Sequence, residues 1–366
     1  MKICIYCQKW DSGGIESFLY NMLSHMDRTG LTIDLVTDRV RDSIFTAPME
    51  ALGVRVVELS GNLRKVGENR RLFAELLKKE RYDAVHVNAF QGLSLAMLKL
   101  AKEAAVPVRL VHSHGADLRP SLTKQLKLVL HRWGKLRYGK FATHRLACSQ
   151  KAAEFLFGAE QEFIFFPNAI EAARFAFDGR TREEIRAELG LGDTFTVGHV
   201  GRFDEMKNQS FLVDVFAEVL SLRSDSRLLL VGGGETFSEV RQKAEVLGVS
   251  DKVIFAGVQT NPERYLQAMD VFAFPRHAEG FGIAAVEAQT AGLPVLCSDA
   301  VPAEALVTPL AKSLPLSAGA KTWAQMLLIM KNEDRAAAAG AVRGAGFDIE
   351  AAAERLAGLY KGNGYE

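Results

Sequence analysis

The 366-residue sequence contains no Asp-x-Asp pair, so the common two-carboxylate grip on a divalent cation is missing. No apolar stretch approaches the roughly 18 uninterrupted residues that cross a bilayer. No low-complexity tract breaks a composition that is 48% hydrophobic and 24% charged, which is that of a soluble globular protein rather than a disordered one. Cysteine is scarce: Cys4, Cys7, Cys148 and Cys297 all lie in apolar, strand-like runs. Alternation puts Cys4 and Cys7 on opposite faces of one strand, so buried reduced thiols are expected instead of a redox pair or zinc site. The full Gly-x-Gly-x-x-Gly register is also missing. Leu228-Leu229-Leu230-Val231-Gly232-Gly233-Gly234-Glu235 ends a strand in glycines at the wrong spacing, and tight packing of strand on helix explains it equally well.

Acidic residues are absent between Leu118 and Ala153, where Arg119, Lys124, Lys127, Arg132, Lys135, Arg137, Lys140, Arg145 and Lys151 all occur. Net charge is nevertheless only +1, so this basic face is local. Leu122, Leu126, Leu128, Leu130, Trp133 and Leu136 recur within it at broadly helical spacing, which predicts a basic amphipathic helix ending near Gly139. Two readings stand: the solvated face of an ordinary domain, or a helix lying on an anionic membrane surface through Lys124, Lys127, Arg132, Trp133, Lys135 and Arg137. No nucleic-acid partner is expected. Met1-Lys2 runs straight into a core strand with no charged-then-apolar leader, so a cytoplasmic location is expected, with the inner face of the cell membrane as the candidate contact.

The length fits two domains of about 150 to 200 residues each. Strand candidates at Lys2 to Cys7, Thr32 to Asp38, Val54 to Leu59, Ala84 to Asn88, Val108 to His114, His144 to Ser149 and Glu162 to Pro167 alternate with helical stretches. The pattern restarts with Thr194 to Gly201, Arg227 to Gly232, Lys252 to Gly257, Val271 to Pro275 and Pro294 to Ser298. Two α/β domains follow, each a doubly wound parallel sheet: residues 1–170 and 171–347, joined at Pro167 to Glu171. A Thr181-Arg182-Glu183-Glu184 capping box is expected to open the first helix of the second domain, and the terminal segment, about 348–366, to pack back on the first. Such folds place ligands at the carboxyl ends of their strands, in a cleft between the domains.

Glu279-Gly-Phe-Gly-Ile-Ala-Ala-Val-Glu287 sets two carboxylates across a Gly-Phe-Gly turn that should open a helix. The turn offers free backbone N–H groups to a diphosphate, while carboxylates accept hydrogen bonds from hydroxyls, so a nucleotide sugar is implied. His199-Val200-Gly201-Arg202-Phe203-Asp204-Glu205-Met206-Lys207-Asn208 adds a fixed and a mobile cation at a strand exit, suited to neutralising a phosphate leaving group without a metal. Asp11-Ser12-Gly13-Gly14-Ile15-Glu16 is a second glycine turn before a helix. His112 and His114 leave one strand on the same side; two histidines make a poor zinc site, and either a hydrogen bond to a sugar hydroxyl or a structural role fits them.

Gly13-Gly14-Ile15-Glu16, Gly201-Arg202 with Lys207-Asn208, and Glu279 to Glu287 together resemble family 4 glycosyltransferases, retaining enzymes of the two-Rossmann GT-B fold. His112-Ser113-His114, Gly201-Arg202-Phe203 and Glu287 to Pro294 are similar to the branch that builds capsular and exopolysaccharide repeat units. The resemblance implies that Arg202 and Lys207 hold the donor diphosphate, that Gly14 approaches it, and that Glu287 binds the ribose. It implies that Glu279 contacts the transferred sugar, with the backbone of Gly280, Phe281, Gly282 and Ile283 near sugar and phosphate, and that His114 faces the sugar. The hinge departs from the family pattern at Asn168-Ala169-Ile170-Glu171, and Arg276 stands where serine is frequent, beside the sugar-facing Glu279.

The expected activity is retaining transfer of a hexosyl or N-acetylhexosaminyl group from a nucleoside diphosphate sugar, expected to be UDP-linked, to a glycan or lipid-diphosphate-linked acceptor. No metal or other cofactor is expected. The rival readings are a nucleotide-sugar 2-epimerase on the same architecture and a non-catalytic nucleotide-sugar sensor.

Overall fold

The computed structural model describes residues 1–41, 43–115, 124–279, 281–332 and 334–363. The Leu122 end of the predicted basic helix and Gly280 of the glycine turn therefore lie outside the described residues. By contacts the chain divides into unit 1, Met1–Ala169 with Ile349–Glu366, and unit 2, Ile170–Asp348.

Unit 1 holds a sheet of strands β1 (Lys2–Cys7), β2 (Thr32–Thr37), β3 (Arg55–Glu58), β4 (Ala84–Ala89), β5 (Val108–Ser113), β6 (His144–Ala147) and β7 (Ile164–Phe165). Every pairing is parallel, in the order β3-β2-β1-β4-β5-β6-β7. The central β4 is buried along its whole length, as a strand covered by helices on both faces must be. Ile3, Ile5, Trp10, Phe18, Leu35, Leu110 and Leu146 build the core. The closing helix Ile349–Tyr360 adds Ala353, Leu356, Leu359 and Tyr360 to it, and the Tyr360 hydroxyl meets His86 Nδ1 at 2.9 Å.

Unit 2 holds β8 (Phe195–Val200), β9 (Ser226–Val231), β10 (Val253–Gly257), β11 (Val271–Phe274), β12 (Val295–Cys297) and β13 (Ala311–Ser313), again all parallel, in the order β10-β9-β8-β11-β12-β13. Two expectations are corrected. The edge strand β13 was not expected; three residues, Ala-Lys-Ser, largely exposed, leave no apolar run to read. The helix predicted to begin at the Thr181 box spans Gly179–Glu188 instead, because Asp178 Oδ1 accepts from the Arg180 amide at 3.0 Å and caps it one turn earlier. The Thr181 hydroxyl then donates to Asp178 Oδ2 at 2.6 Å.

The basic helix spans Lys124–Tyr138. Its Gly134 and His131 bear on the turn Gly92–Leu95. The Gly92 amide donates to His131 Nδ1 at 3.0 Å, and the opposite ring nitrogen meets the Phe155 carbonyl at 2.9 Å. Backbone meets backbone so closely that a Cβ on Gly134 would stand 2.5 Å from the Gly92 carbonyl carbon. No helix among the described residues is long and apolar enough to cross a membrane.

Gly134→Ala should destabilise unit 1 by about 1–3 kcal/mol through overpacking, because neither backbone can rotate aside as a side chain would. A fall in the urea midpoint at unchanged slope is the expected result; an unchanged midpoint would show that the helix is not seated through this contact.

Candidate functional site

In unit 2 the strand order reverses between β8 and β11, so the loops leaving their carboxyl ends open side by side, the position where doubly wound sheets bind ligands. The loop after β8 carries Arg202 and Lys207, and the loop after β11 carries Arg276, His277 and Glu279.

The first loop is shaped by glycines. The Gly201 amide donates to the Val231 carbonyl at 2.9 Å, and Gly232, at φ +137°, packs so close that a Cβ there would lie 2.1 Å from the Gly201 carbonyl oxygen. Phe203 N donates to the Gly233 carbonyl at 2.9 Å. The glycine run after β9 is thus explained by its approach to the Gly201–Phe203 turn, where strand-on-helix packing had been an equal reading. Asp204 then ties both cations to the loop: its Oδ1 accepts from the Lys207 amide at 3.0 Å, and its Oδ2 lies 3.3 Å from Arg202 Nε. Arg202 keeps 68% of its side chain exposed, whereas Lys207 keeps 25%.

His199 and Gln209 underlie this turn and were not singled out from the sequence. His199 Nδ1 meets the Ala273 carbonyl at 2.9 Å, which fixes Nδ1–H as donor and leaves Nε2 to accept from the Gln209 amide at 3.3 Å. The same amide nitrogen donates to the Arg202 carbonyl at 2.9 Å. Burial depresses the His199 pKa to about 4, so it stays neutral.

The Lys207 ammonium stands 3.8 Å from Glu279 Oε2. Burial, with the nearby Arg202 charge, brings its pKa down to about 8, against the opposing pull of Asp204. Glu279 Oε2 also pairs with Arg276 Nη1. One carboxylate oxygen is therefore shared by a cation from each loop.

Gly282, at φ +98°, starts the helix Ile283–Thr290 and leaves no side chain to cap its amides. A Cβ there would meet Phe274, Glu279 and Val301 within 3.2–3.4 Å. Phe281 is 3% exposed and stacks on Phe347 at 5.7 Å, so only its backbone is open to a ligand. Glu287 lies a turn into the helix, half-buried, with its carboxyl pushed up to about 7 chiefly by burial, opposed by Arg174 and aided by Glu263.

In unit 1, Gly14 begins the helix Gly14–His25 at the exit of β1, with open space where a Cβ would sit. Glu16 reaches back to accept from the Asp11 amide at 2.9 Å. His112 is fully buried, bonded through Nε2 to the Phe166 carbonyl at 3.1 Å and packed edge-on to Phe18. His114 is partly exposed, its ring 3.9 Å from that of His112, and its Nε2 bonds Asn88 Oδ1 at 2.8 Å. Of the pair, His114 is the one that can reach a ligand. Burial, aided by His86, lowers its pKa to about 3, so it offers a neutral hydrogen bond and no charge.

The basic helix turns its apolar stripe outward. Leu126, Val129, Leu130, Trp133 and Leu136 are 62, 62, 41, 51 and 82% exposed. Lys127, Arg132 and Arg137 are exposed around them, with Lys124 partly so. Lys135 departs from the expected surface set, since its ammonium donates to the carbonyls of Glu154 and Phe155 at 3.0 and 3.2 Å.

Two family models match the chain: Glycosyltransferase Family 4 over residues 12–174 and Glycosyl transferases group 1 over residues 181–315. The Bacillus subtilis protein EpsF is 31% identical over 341 residues, covering 90% of this chain and 85% of its own. An Escherichia coli UDP-Gal:alpha-D-GlcNAc-diphosphoundecaprenol alpha-1,3-galactosyltransferase is 27% identical, covering 67% of this chain and 65% of its own. Among solved structures, Anabaena HepE in complex with UDP superposes with a TM-score of 0.80 at 21% identity, covering 99% of this chain and 100% of that one. Matched in both units and carrying two doubly wound sheets of the GT-B class, the chain belongs to glycosyltransferase family 4.

Proposed function

We propose that the chain transfers a hexosyl or N-acetylhexosaminyl group from a UDP-sugar to a glycan or lipid-diphosphate-linked acceptor in surface polysaccharide synthesis, with retention and without a metal. The observation that carries this reading is the meeting of Lys207 and Glu279, a cation for phosphate and a carboxylate for hydroxyls, 3.8 Å apart at the switch point of one sheet. UDP as donor is supported by the E. coli relative, named for UDP-Gal, and by the HepE complex with UDP.

In this reaction the bond from the sugar's anomeric carbon to the β-phosphate oxygen breaks while the acceptor oxygen bonds that carbon on the same face. The acceptor's proton passes to the departing phosphate. Arg202 and Lys207 offset the growing negative charge, the work a divalent cation performs elsewhere. Glu279 orients the sugar through its hydroxyls, and Glu287 the ribose. Retention rests on the family resemblance.

The outward apolar stripe supports peripheral binding to an anionic membrane, where a lipid-linked acceptor would lie. An ordinary domain helix buries such a stripe; here Gly134 and His131 are buried in its place.

Arg202→Ala and Lys207→Ala should each lower turnover about a hundred- to a thousandfold while leaving thermal unfolding intact. Wild-type rates in both would defeat the assignment. UDP affinity, followed by calorimetry, should peak between about pH 7 and pH 8. It falls below that range as Glu287 takes up a proton, and above it as Lys207 loses one; Lys207→Arg should remove the alkaline limb alone. An unchanged alkaline limb in that variant would assign the titration to another group. Vesicles containing anionic phospholipid should sediment the protein at physiological salt, and Leu130→Glu with Trp133→Glu should abolish this. Native protein that stays in solution with both anionic and zwitterionic vesicles has no such surface.

A further inference from the structure

Glu279 is shared by two cations whose surroundings differ. Lys207 reaches it on a flexible stem that passes over Gly201, where a Cβ would stand 3.9 Å from Lys207 Cδ. Arg276 is 3% exposed, its guanidinium lies over the Phe274 ring at 4.6 Å, and its carbonyl accepts the Ser298 hydroxyl at 2.6 Å. Its amide donates to the Phe274 carbonyl at 3.1 Å, and its Nε is buried with no hydrogen-bond partner. Arg276 is therefore fixed against the end of β11, while Lys207 is able to move.

A diphosphate bound at the Arg202–Lys207 loop competes with Glu279 for the Lys207 ammonium. Glu279 has a side chain only 15% exposed. Stripping such a carboxylate of its cations costs several times a surface ion pair, because the charge is left in a poorly solvated place. Arg276 prevents that. Its pairing with Glu279 does not depend on Lys207, and its stacking and burial keep it from following the phosphate.

We propose that Arg276 is a positioning residue: it retains Glu279, ionised and in place, when Lys207 passes from that carboxylate to the donor diphosphate. Phosphate and sugar recognition are then divided between two cations, the mobile one for the leaving group and the fixed one behind the sugar-binding carboxylate. This rests on the reading of the site as a UDP-sugar site. The ionisable groups on the two loops are Arg202, Asp204, Glu205 and Lys207 after β8, and Arg276, His277 and Glu279 after β11. Arg202 keeps Asp204 beside its Nε at 3.3 Å, while Glu279 is the carboxylate from which the diphosphate draws the Lys207 ammonium.

Arg276→Met, which keeps the stem and removes the charge, should bind UDP about tenfold or more weakly than the native protein at neutral pH. Its binding should take up about one more proton than native binding, measured by calorimetry in buffers of different ionisation enthalpy. Arg276→Lys should restore the native proton count, and adding Glu279→Gln to Arg276→Met should restore UDP affinity. A merely structural role would move neither the proton count nor this rescue. Glu279→Gln alone, which leaves both cations in place, should bind UDP about three- to tenfold more tightly by freeing Lys207; this arm stands if Arg276→Met fails to fold. Native UDP affinity and proton count in Arg276→Met, or weaker UDP binding in Glu279→Gln, would overturn the proposal. Native protein that binds no UDP would instead overturn the underlying reading of the site.

Discussion

The adjacency of β8 and β11 in a parallel sheet is the constraint from which the site follows. Neighbours in space but far apart in sequence, these strands have crossovers that depart to opposite sides, so the loops leaving their carboxyl ends part at this point. Two loops fill that edge, one rich in cations and one ending in a glycine-started helix. Neither loop alone has the chemistry to hold a sugar and a diphosphate. Their meeting at a single carboxylate oxygen, Glu279 Oε2, joins the two halves.

Backbone-to-backbone contact holds this arrangement more firmly than side-chain packing would. Gly232 and Gly234 lie against the Gly201–Phe203 turn so closely that a Cβ on them would stand 2.1 and 2.3 Å from the carbonyl oxygens of Gly201 and Phe203. The turn therefore sits on a peptide surface instead of on rotamers that can repack. Arg202 takes its origin from a fixed backbone even though its own side chain is largely in solvent. The same device seats the basic helix, with Gly134 on Gly92. There it leaves the helix's side chains to face outward.

Fold class was legible because it depends on residue type and local order, and the residues of the candidate site are named on the same basis. Parallel sheets with both faces covered require continuous apolar runs, and those runs mark twelve of the thirteen strands described here without help from tertiary context, the short β7 lying within a longer expected segment. Arg202 and Glu279 stand out because charged residues beside glycines at strand exits have few structural uses, Lys207 because it follows Arg202 in the same loop, and Glu287 by its spacing from Glu279. What stayed hidden depends on partners distant in sequence. Periodicity reveals that the helix at Lys124–Tyr138 has an apolar stripe, but the side it presents outward is decided by Gly92, which no helical pattern contains. Arg276 reads as an isolated departure until Phe274 and Glu279 are seen to clamp it from two sides. The strand β13 and the Asp178 cap escaped for a plainer reason: three residues and one carboxylate carry too little pattern.

The two cations assigned to the phosphate in the proposed reaction are not equivalent, and the difference bears on catalysis. Arg202 is exposed, so the attraction of its guanidinium is screened by salt and acts as much on capture as on chemistry. Lys207 is poorly solvated and holds its proton at a cost, as its lowered pKa records. Negative charge placed beside it is felt through little water, so its attraction grows with the charge it faces. In the proposed transfer that charge is larger on the departing phosphate than on the intact donor, and Lys207 accordingly favours the transition state over the bound substrate, the condition for raising turnover instead of affinity alone. In the proposed division a fixed Arg276 lets Lys207 follow the phosphate without surrendering Glu279, the carboxylate proposed to hold the sugar.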